Sequence, residues 1–475
     1  MPTLGSVVLL AYAAILIGVA WSSRRRIRNV SDYLVAGRRL GVPLASAGLL
    51  ATWFGAGTLL AAADEVRAEG LRAAALEPIG PGICLLLVGL FYAGPLRRAR
   101  LLTLCDYFGR RFGRRAEWLS AAIMVPSFFG WIAAQFTVLA ALLAEAFGFS
   151  LAAGLLCGAV FAVAYTMIGG MWSVTLTDAA QLVVVAAGLA AMGVAALTAL
   201  GDGAWIPGAL RLGGETPSEV LAFIPAEGAE RFAWVGLLLA GALGNIPGQD
   251  VMQRVLAART AAVARRACLI AGAAYLALGA VPLTLGLAAR LLLPGVETDV
   301  FPALAGVLFS PLATLGITLV IVSALLSTAD SALMSAASVL SRNLLRHRLP
   351  RVDPLRLSRL AVLLVGAASL LLALGGASAY TLLEAAYELT LVGLFVPLTL
   401  GLFWRGGGPR AGIAAMAVGT LLWAGHQALG WETFAAPLGG EFPSAVGMTL
   451  ASAAAYLAGA RFDAPGRSDR ARMRA

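Results

Sequence analysis

Long, continuous apolar runs separated by short polar or basic segments fill nearly all of the 475-residue chain. A bilayer core about 30 Å thick takes roughly 20 apolar residues per helical crossing. The runs are long and do not alternate with period two, which selects helices over a closed barrel. Spans are expected near 4–22, 42–63, 73–95, 117–146, 150–168, 174–200, 232–253, 265–292, 304–342, 358–376, 380–404, 411–430 and 441–461. The pattern predicts an all-α polytopic membrane protein with about 13 transmembrane helices.

The runs also suggest an order of parts. Residues 1–41 hold the first helix and its loop, 42–200 a first set of five spans and 201–231 an external loop. Residues 232–404 hold a second set of five, and 405–475 two further helices and a basic tail. An odd number of spans per set inverts the second set relative to the first. Inverted repeats of this 5+5 kind build many secondary transporters, whose first helices are broken at mid-membrane. Gly55 and Gly57 interrupt the first helix of one set, and Gly241, Gly244, Pro247 and Gly248 interrupt the first helix of the other. Glycine and proline weaken a helix, and proline removes a backbone donor, so both helices are expected to break there. Small residues also permit close packing of intact membrane helices, which is the alternative reading of either segment alone.

Composition agrees with the pattern. The chain is 60% hydrophobic and 13% charged, with mean hydropathy +0.86, against roughly 25% charged residues in soluble domains. The net charge of +10 gives no support for nucleic-acid binding, because the arginines cluster in particular loops. Arg24, Arg25, Arg26, Arg28, Arg38 and Arg39 follow the first span, and Arg97, Arg98, Arg100, Arg110, Arg111, Arg114 and Arg115 follow the third. Arg259, Arg265, Arg266, the stretch Arg342 to Arg359 and the tail after Arg461 fall on the same side. The positive-inside rule makes that side cytoplasmic, which puts the N-terminus outside and the C-terminus inside the plasma (inner) membrane. The first span lacks a basic n-region and runs into arginines, so it is expected to stay uncleaved. Four cysteines and two histidines offer no disulfide framework or metal spacing. No nucleophile with a base and no phosphate loop points to an enzyme, and no obligate protein partner is evident beside the membrane lipid.

The span from 317 onward changes the picture, because Ser327, Thr328, Asp330 and Ser331 interrupt its apolar run. A carboxylate at bilayer depth costs about 2.5–3.5 kcal/mol on insertion scales and normally faces an ion, a partner or water. Hydroxyls and freed carbonyls suit a small hard cation, so Ser327 and Thr328 with carbonyls from the Ala51 to Phe54 break form a candidate sodium site. Asp330 and Ser331 lie three and four residues past Ser327, on one helical face. Asp178 is a second lone acid, able to share a cation or proton with Asp330, or to act as an interfacial helix cap. Trp53 and Trp131 are candidate walls of a pocket for an organic cation. Asp250, beside Gly248 at the second break, would offset a positive substrate group or pair with Arg254 four residues on.

Several ordered segments resemble the sodium:solute symporter family over most of the chain. They are Ser31-Asp32-Tyr33-Leu34-Val35-Ala36-Gly37-Arg38, Ala51-Thr52-Trp53, Gly169-Gly170-Met171-Trp172-Ser173 leading to Thr177-Asp178-Ala179-Ala180-Gln181, Gln253-Arg254, and Ser327-Thr328-Ala329-Asp330-Ser331-Ala332-Leu333. The resemblance implies a thirteen-span fold with the inverted-repeat core, importing an organic solute with Na+ as coupling ion. Its common sodium site maps onto the carbonyls of Ala51, Phe54 and Ala324 and the hydroxyls of Ser327 and Thr328. A further cation site of some members maps onto Ser327, Asp330, Ser331 and Asp178, where Asp330 departs from the usual serine. Ala51-Thr52-Trp53-Phe54-Gly55, Pro78-Ile79-Gly80 and Gly244-Asn245-Ile246-Pro247 resemble the high-affinity choline transporter branch, in which an aromatic cage holds a quaternary ammonium. Trp53 and Trp131 match two cage walls, whereas Pro81 and Gly248 stand where that branch has aromatics. The expected solute is therefore small and organic, an amine or zwitterion. The alternatives are proton coupling through Asp330 and Asp178, and a sensor that binds solute without moving it.

Overall fold

The computed structural model describes residues 4–376, 379–404, 406–431, 433–434 and 442–463. Most of the basic tail expected after Arg461 lies outside the described residues. The architecture is helical throughout; among the described residues the one sheet is the short antiparallel pair Thr433–Phe434 and Phe442–Pro443. Among the described residues eight helices are long and apolar enough to cross a membrane, or nine when the bent pair Val42–Trp53 and Gly57–Glu69 is taken as one span.

Four of the thirteen expected spans do not add to that number: two join into one helix, one is divided into two short helices, and those expected at 411–430 and 441–461 form the helices Pro409–Leu429 and Ser444–Arg461, which do not reach that apolarity. The spans expected at 150–168 and 174–200 join as Leu151–Leu200, interrupted at Gly170 with φ 51° and ψ −153°. A β-carbon at Gly170 would lie 2.6 Å from the Tyr33 ring, so the turn needs glycine both for its backbone angles and for close approach. The span expected at 232–253 is two short helices, Gly228–Gly244 and Gln249–Ala257. The span expected at 304–342 starts later, at Pro311. Val300–Leu308 forms a separate helix, and Pro311 opens the next at a position where its missing N–H is not needed. The loop expected at 201–231 contains a helix of its own, Trp205–Glu215.

The first interruption bends the chain by 63° between Trp53 and Gly57. Phe54 has ψ 72°, which turns its carbonyl away from the helical direction. The freed Ala56 N–H donates to Gln135 Oε1 at 2.8 Å, so a side chain from helix Arg114–Phe147 replaces the missing helical acceptor. At the second interruption Gly248 caps Gln249–Ala257 in an extended conformation. Here the hydroxyl of Thr390, in Ala379–Thr390, donates to the Gly244 carbonyl at 2.6 Å. Each break is thus covered by one polar residue from another helix, which meets the demand that backbone groups at membrane depth be satisfied.

Helix Pro311–Val339 runs through the middle of the bundle, with every residue from Val320 to Val339 buried. The first helix, Leu4–Ser23, attaches through Tyr12, whose hydroxyl meets Ser323 Oγ at 2.8 Å and accepts from Gln181 Nε2 at 3.0 Å. On the arginine-rich face the outer ends of both broken helices are tied by backbone. Leu40 N donates to Ala257 O at 3.1 Å, and Arg259 N donates to Leu40 O at 2.9 Å.

Candidate functional site

Ser327 and Thr328 sit against the first break. Ser327 Oγ lies 3.1 Å from the Ala51 carbonyl and 2.9 Å from the Ala324 carbonyl, with its proton available to either. Thr328 Oγ1 is buried and has no hydrogen-bond partner among the described residues. A buried hydroxyl without a partner forfeits roughly 1–3 kcal/mol of desolvation, so this oxygen sits where a ligand would recover that loss. Two carbonyls and two hydroxyls near the bent segment form an all-oxygen set of the kind that suits a small hard cation. Gly55 closes the site, because a β-carbon there would meet both Gln135 Oε1 and Thr328 Oγ1 at 2.6 Å. Gly55→Ala is expected to cost about 1–3 kcal/mol of overpacking and to lower sodium-driven uptake, measured by thermal unfolding and vesicle uptake side by side.

Asp178 is not a lone acid. Its Oδ2 accepts from Arg254 Nη2 at 3.1 Å in an ion pair that is 1% and 0% exposed. The same Nη2 donates to Ser331 Oγ, while Arg254 Nε donates to the Gly48 carbonyl and Nη1 to the Asp250 carbonyl, each at 3.1 Å. Thr52 Oγ1 lies 3.3 Å from Ser331 Oγ. One expectation is corrected here: the side chain of Arg254 reaches across the bundle to Asp178 and does not pair with the Asp250 carboxylate. Asp178 and Ser331, two members of the second-cation set, both meet that guanidinium.

Asp330, 0% exposed, is different. Neither of its oxygens makes a hydrogen bond in good geometry among the described residues, although the Ser331 and Tyr165 hydroxyls stand close to it. Tyr165, in Leu151–Leu200, gives its proton to the Leu326 carbonyl at 3.0 Å. A buried ionised carboxyl in that condition is costly, and protonation or a cation relieves it.

Between the two breaks lies Trp53, 4% exposed, whose indole Nε1 donates to Asp250 Oδ2 at 2.5 Å. Its ring stands edge-on to Tyr275, 6.1 Å between centroids. Gly248 leaves room for that acid, since a β-carbon there would lie 2.5 Å from Asp250 Oδ1. Trp131 is also buried, but its ring packs on Phe128 at 5.9 Å, so it adjoins the break through Gln135, whose Nε2 donates to the Trp131 carbonyl.

One acid missing from the sequence reading is Glu77. It is 3% exposed and accepts from Tyr387 at 2.7 Å, Thr58 at 2.7 Å and Tyr275 at 3.0 Å. Thr58 and Tyr275 also reach the Trp53 carbonyl. The signal existed: Glu77 is a single acid inside the apolar run 73–95, the same criterion that singled out Asp330. Gln135 carried no comparable signal, because an amide in a span is chemically ordinary and only the fold brings it to Ala56.

Two broken helices that meet through Trp53 and Asp250, with a buried all-oxygen set against the first of them, form the pattern of inverted-repeat secondary transporters. The sodium:solute symporter family model matches residues 33–419, and the chain belongs to that family. It is a sodium-coupled symporter and not an enzyme. The high-affinity choline transporter 1 of Torpedo marmorata is 26% identical over 456 residues, covering 88% of this chain and 75% of that protein. The Homo sapiens high affinity choline transporter 1 is 26% identical over 87% of this chain and 75% of its own. The osmoregulated proline transporter OpuE of Bacillus subtilis is 26% identical, covering 86% of each chain. Among solved structures, a Na+-coupled sialic acid symporter in a substrate-bound outward-open state superposes with a TM-score of 0.80 at 18% identity, over 98% of this chain and 99% of that one. Mhp1, a nucleobase-cation-symport-1 family transporter in a closed conformation, gives 0.60 at 16% identity, over 91% and 95%. These structures share the fold.

Proposed function

We propose that this symporter imports a small organic cation, an amine or a zwitterion carrying a positive centre, together with sodium by alternating access. The carrying observation is a charge count. Among the described residues away from the arginine-rich face, the buried ionisable carboxyls are Glu77, Asp178, Asp250 and Asp330, and the buried arginine is Arg254. Four acids less one guanidinium leave three negative charges to be met inside a low-dielectric bundle, where uncompensated charge is expensive. One sodium ion at Ala51, Phe54, Ala324, Ser327 and Thr328, one positive substrate group facing Trp53, Asp250 and Glu77, and one proton on Asp330 satisfy that count. Trp131 and Gly248 complete the pocket wall in this reading. The similarity to choline transporters supports a cationic solute, and the carboxylates with their hydroxyl neighbours favour one that has N–H donors. The halves 42–200 and 232–404 act as the two repeats, and the arginine-rich face lies in the cytoplasm, with the N-terminus outside the plasma membrane. Sodium drives uptake by binding the outward-open state better than the inward one.

Purified protein in proteoliposomes with an inward sodium gradient tests this. Cationic amines are expected to compete for uptake and to stabilise the protein in sodium, and Glu77→Gln and Asp250→Asn to weaken that competition by roughly tenfold or more. Accumulation of anionic solutes alone would overturn the reading.

The unpartnered Asp330 carboxyl favours a second coupling ion, a proton. Asp330→Ser, the family's usual residue, is expected to abolish the dependence of uptake on a proton gradient while sodium dependence persists. Unchanged proton-gradient dependence in Asp330→Ser would remove the proton from the mechanism, and a lowered sodium Hill coefficient would assign Asp330 to a sodium ion.

A further inference from the structure

On the arginine-rich face a cavity of about 440 Å³ is lined by Arg38, Arg97, Arg98, Arg100, Arg259 and Ala261. Among the described residues none of these five arginines takes part in an ion pair. Two of them are held by backbone carbonyls. Arg38 Nη2 donates to the carbonyls of Arg100 and Leu101 at 2.9 and 3.1 Å, and Arg97 donates to those of Ala258 and Arg259. Arg38 Nε is buried without a partner. Burial, then the Arg100 and Arg342 charges, hold Arg38 below the ordinary arginine range; Asp106, itself paired with Arg342, pulls the other way. Ala261 opens the 32-residue helix Ala261–Leu292, whose positive dipole end adds to the same field.

Five like charges around one cavity repel unless an anion sits among them. Guanidinium groups match phosphate oxygens in a forked geometry, and basic pockets between helices at the membrane boundary hold lipid head groups. We infer that this cavity is a binding site for a phosphate-bearing anion, of which an anionic phospholipid head group is the source nearest to hand. The site has a place in the transport cycle. Arg38 precedes the first broken helix and Arg259 follows the second, and their neighbours are already joined by the backbone bonds of Leu40 with Ala257 and Arg259. A bound phosphate cross-links the outer ends of both broken helices and favours the state in which that face is closed.

The test uses the purified full chain in neutral detergent at low, matched ionic strength. Thermal midpoints are titrated with short-chain phosphatidylglycerol, short-chain phosphatidylcholine and inorganic pyrophosphate. The midpoint is expected to rise with phosphatidylglycerol and not with phosphatidylcholine. Arg98→Gln with Arg259→Gln, both exposed in the protein, should move half-saturation up by roughly thirtyfold, and added salt should do likewise. Arg259→Lys keeps the charge and should titrate close to wild type, which separates loss of the site from loss of the fold. A variant-sensitive response to pyrophosphate equal to that of the lipid supports the site with free phosphate as its source; a response to the lipid alone assigns it to the head group. Equal response to both lipids, no response to either phosphate source, or a double arginine variant that titrates like wild type overturns the inference.

Discussion

Alanine at both Ser327 and Thr328 is expected to abolish sodium-driven uptake in sealed vesicles, and each single substitution to weaken half-activation by sodium roughly ten- to a hundredfold. The two single variants differ in character. Ser327→Ala removes a hydroxyl lying 3.1 and 2.9 Å from the carbonyls of Ala51 and Ala324, so it disturbs the packing of the broken helix as well as ion binding. Thr328→Ala removes an oxygen without a protein partner, which costs the sodium-free protein little. The contrast is the diagnostic. If Thr328 serves the ion, Thr328→Ala leaves the thermal midpoint without sodium unchanged and removes the rise that sodium produces. Sodium-independent uptake by the double variant at the wild-type rate would sink the assignment. Thr328→Ser, which keeps the oxygen, is expected to retain most sodium dependence.

The second large effect concerns Arg254. Arg254→Gln leaves Asp178 buried without its guanidinium and removes donors from Ser331, Gly48 and Asp250. Breaking one side of a buried ion pair costs about 3–5 kcal/mol, so low expression, a lower thermal midpoint and loss of uptake are expected together. The double variant Arg254→Gln with Asp178→Asn removes both charges and should recover much of the stability, a coupling that a double-mutant cycle measures. Recovered stability with uptake still absent would show that the pair serves transport as well as folding. If instead Asp178→Asn alone destabilises as much as the double variant does, the pair is not the source of the effect. A related result follows for sodium. With the guanidinium held against Asp178 and Ser331, the wild-type Hill coefficient for sodium should stay close to one. A second sodium ion is expected to bind only when Arg254 is removed and Asp178 retained.

Much of the fold was legible because the membrane imposes a simple rule. Each crossing needs a long apolar run and an internally satisfied backbone, so composition and period decide helices without knowledge of their neighbours. Glycine and proline in mid-run reported the two breaks for the same local reason. Span limits failed where local sequence does not decide them: Pro311 delays a helix that hydropathy alone would begin earlier, and Gly170 joins two runs through a turn that Tyr33 packs against.

The site divides along the same line. By itself the sequence determined that Ser327, Thr328, Asp330, Asp178 and Asp250 are chemically out of place in their runs, because the cost of a polar group in hydrocarbon is a property of that residue and its surroundings in the chain. Partnership is a property of three-dimensional proximity, and only the tertiary structure decided it. It took Arg254 away from the carboxylate of Asp250, four residues back on its own helix, and gave it to that of Asp178, 76 residues distant. It set Gln135 on the free Ala56 N–H, gathered Tyr275, Tyr387 and Thr58 around Glu77, and left Thr328 and Asp330 without partners. Two acids that look alike in sequence therefore end differently: Asp178 is paired with a fixed arginine, and Asp330 makes no ion pair among the described residues.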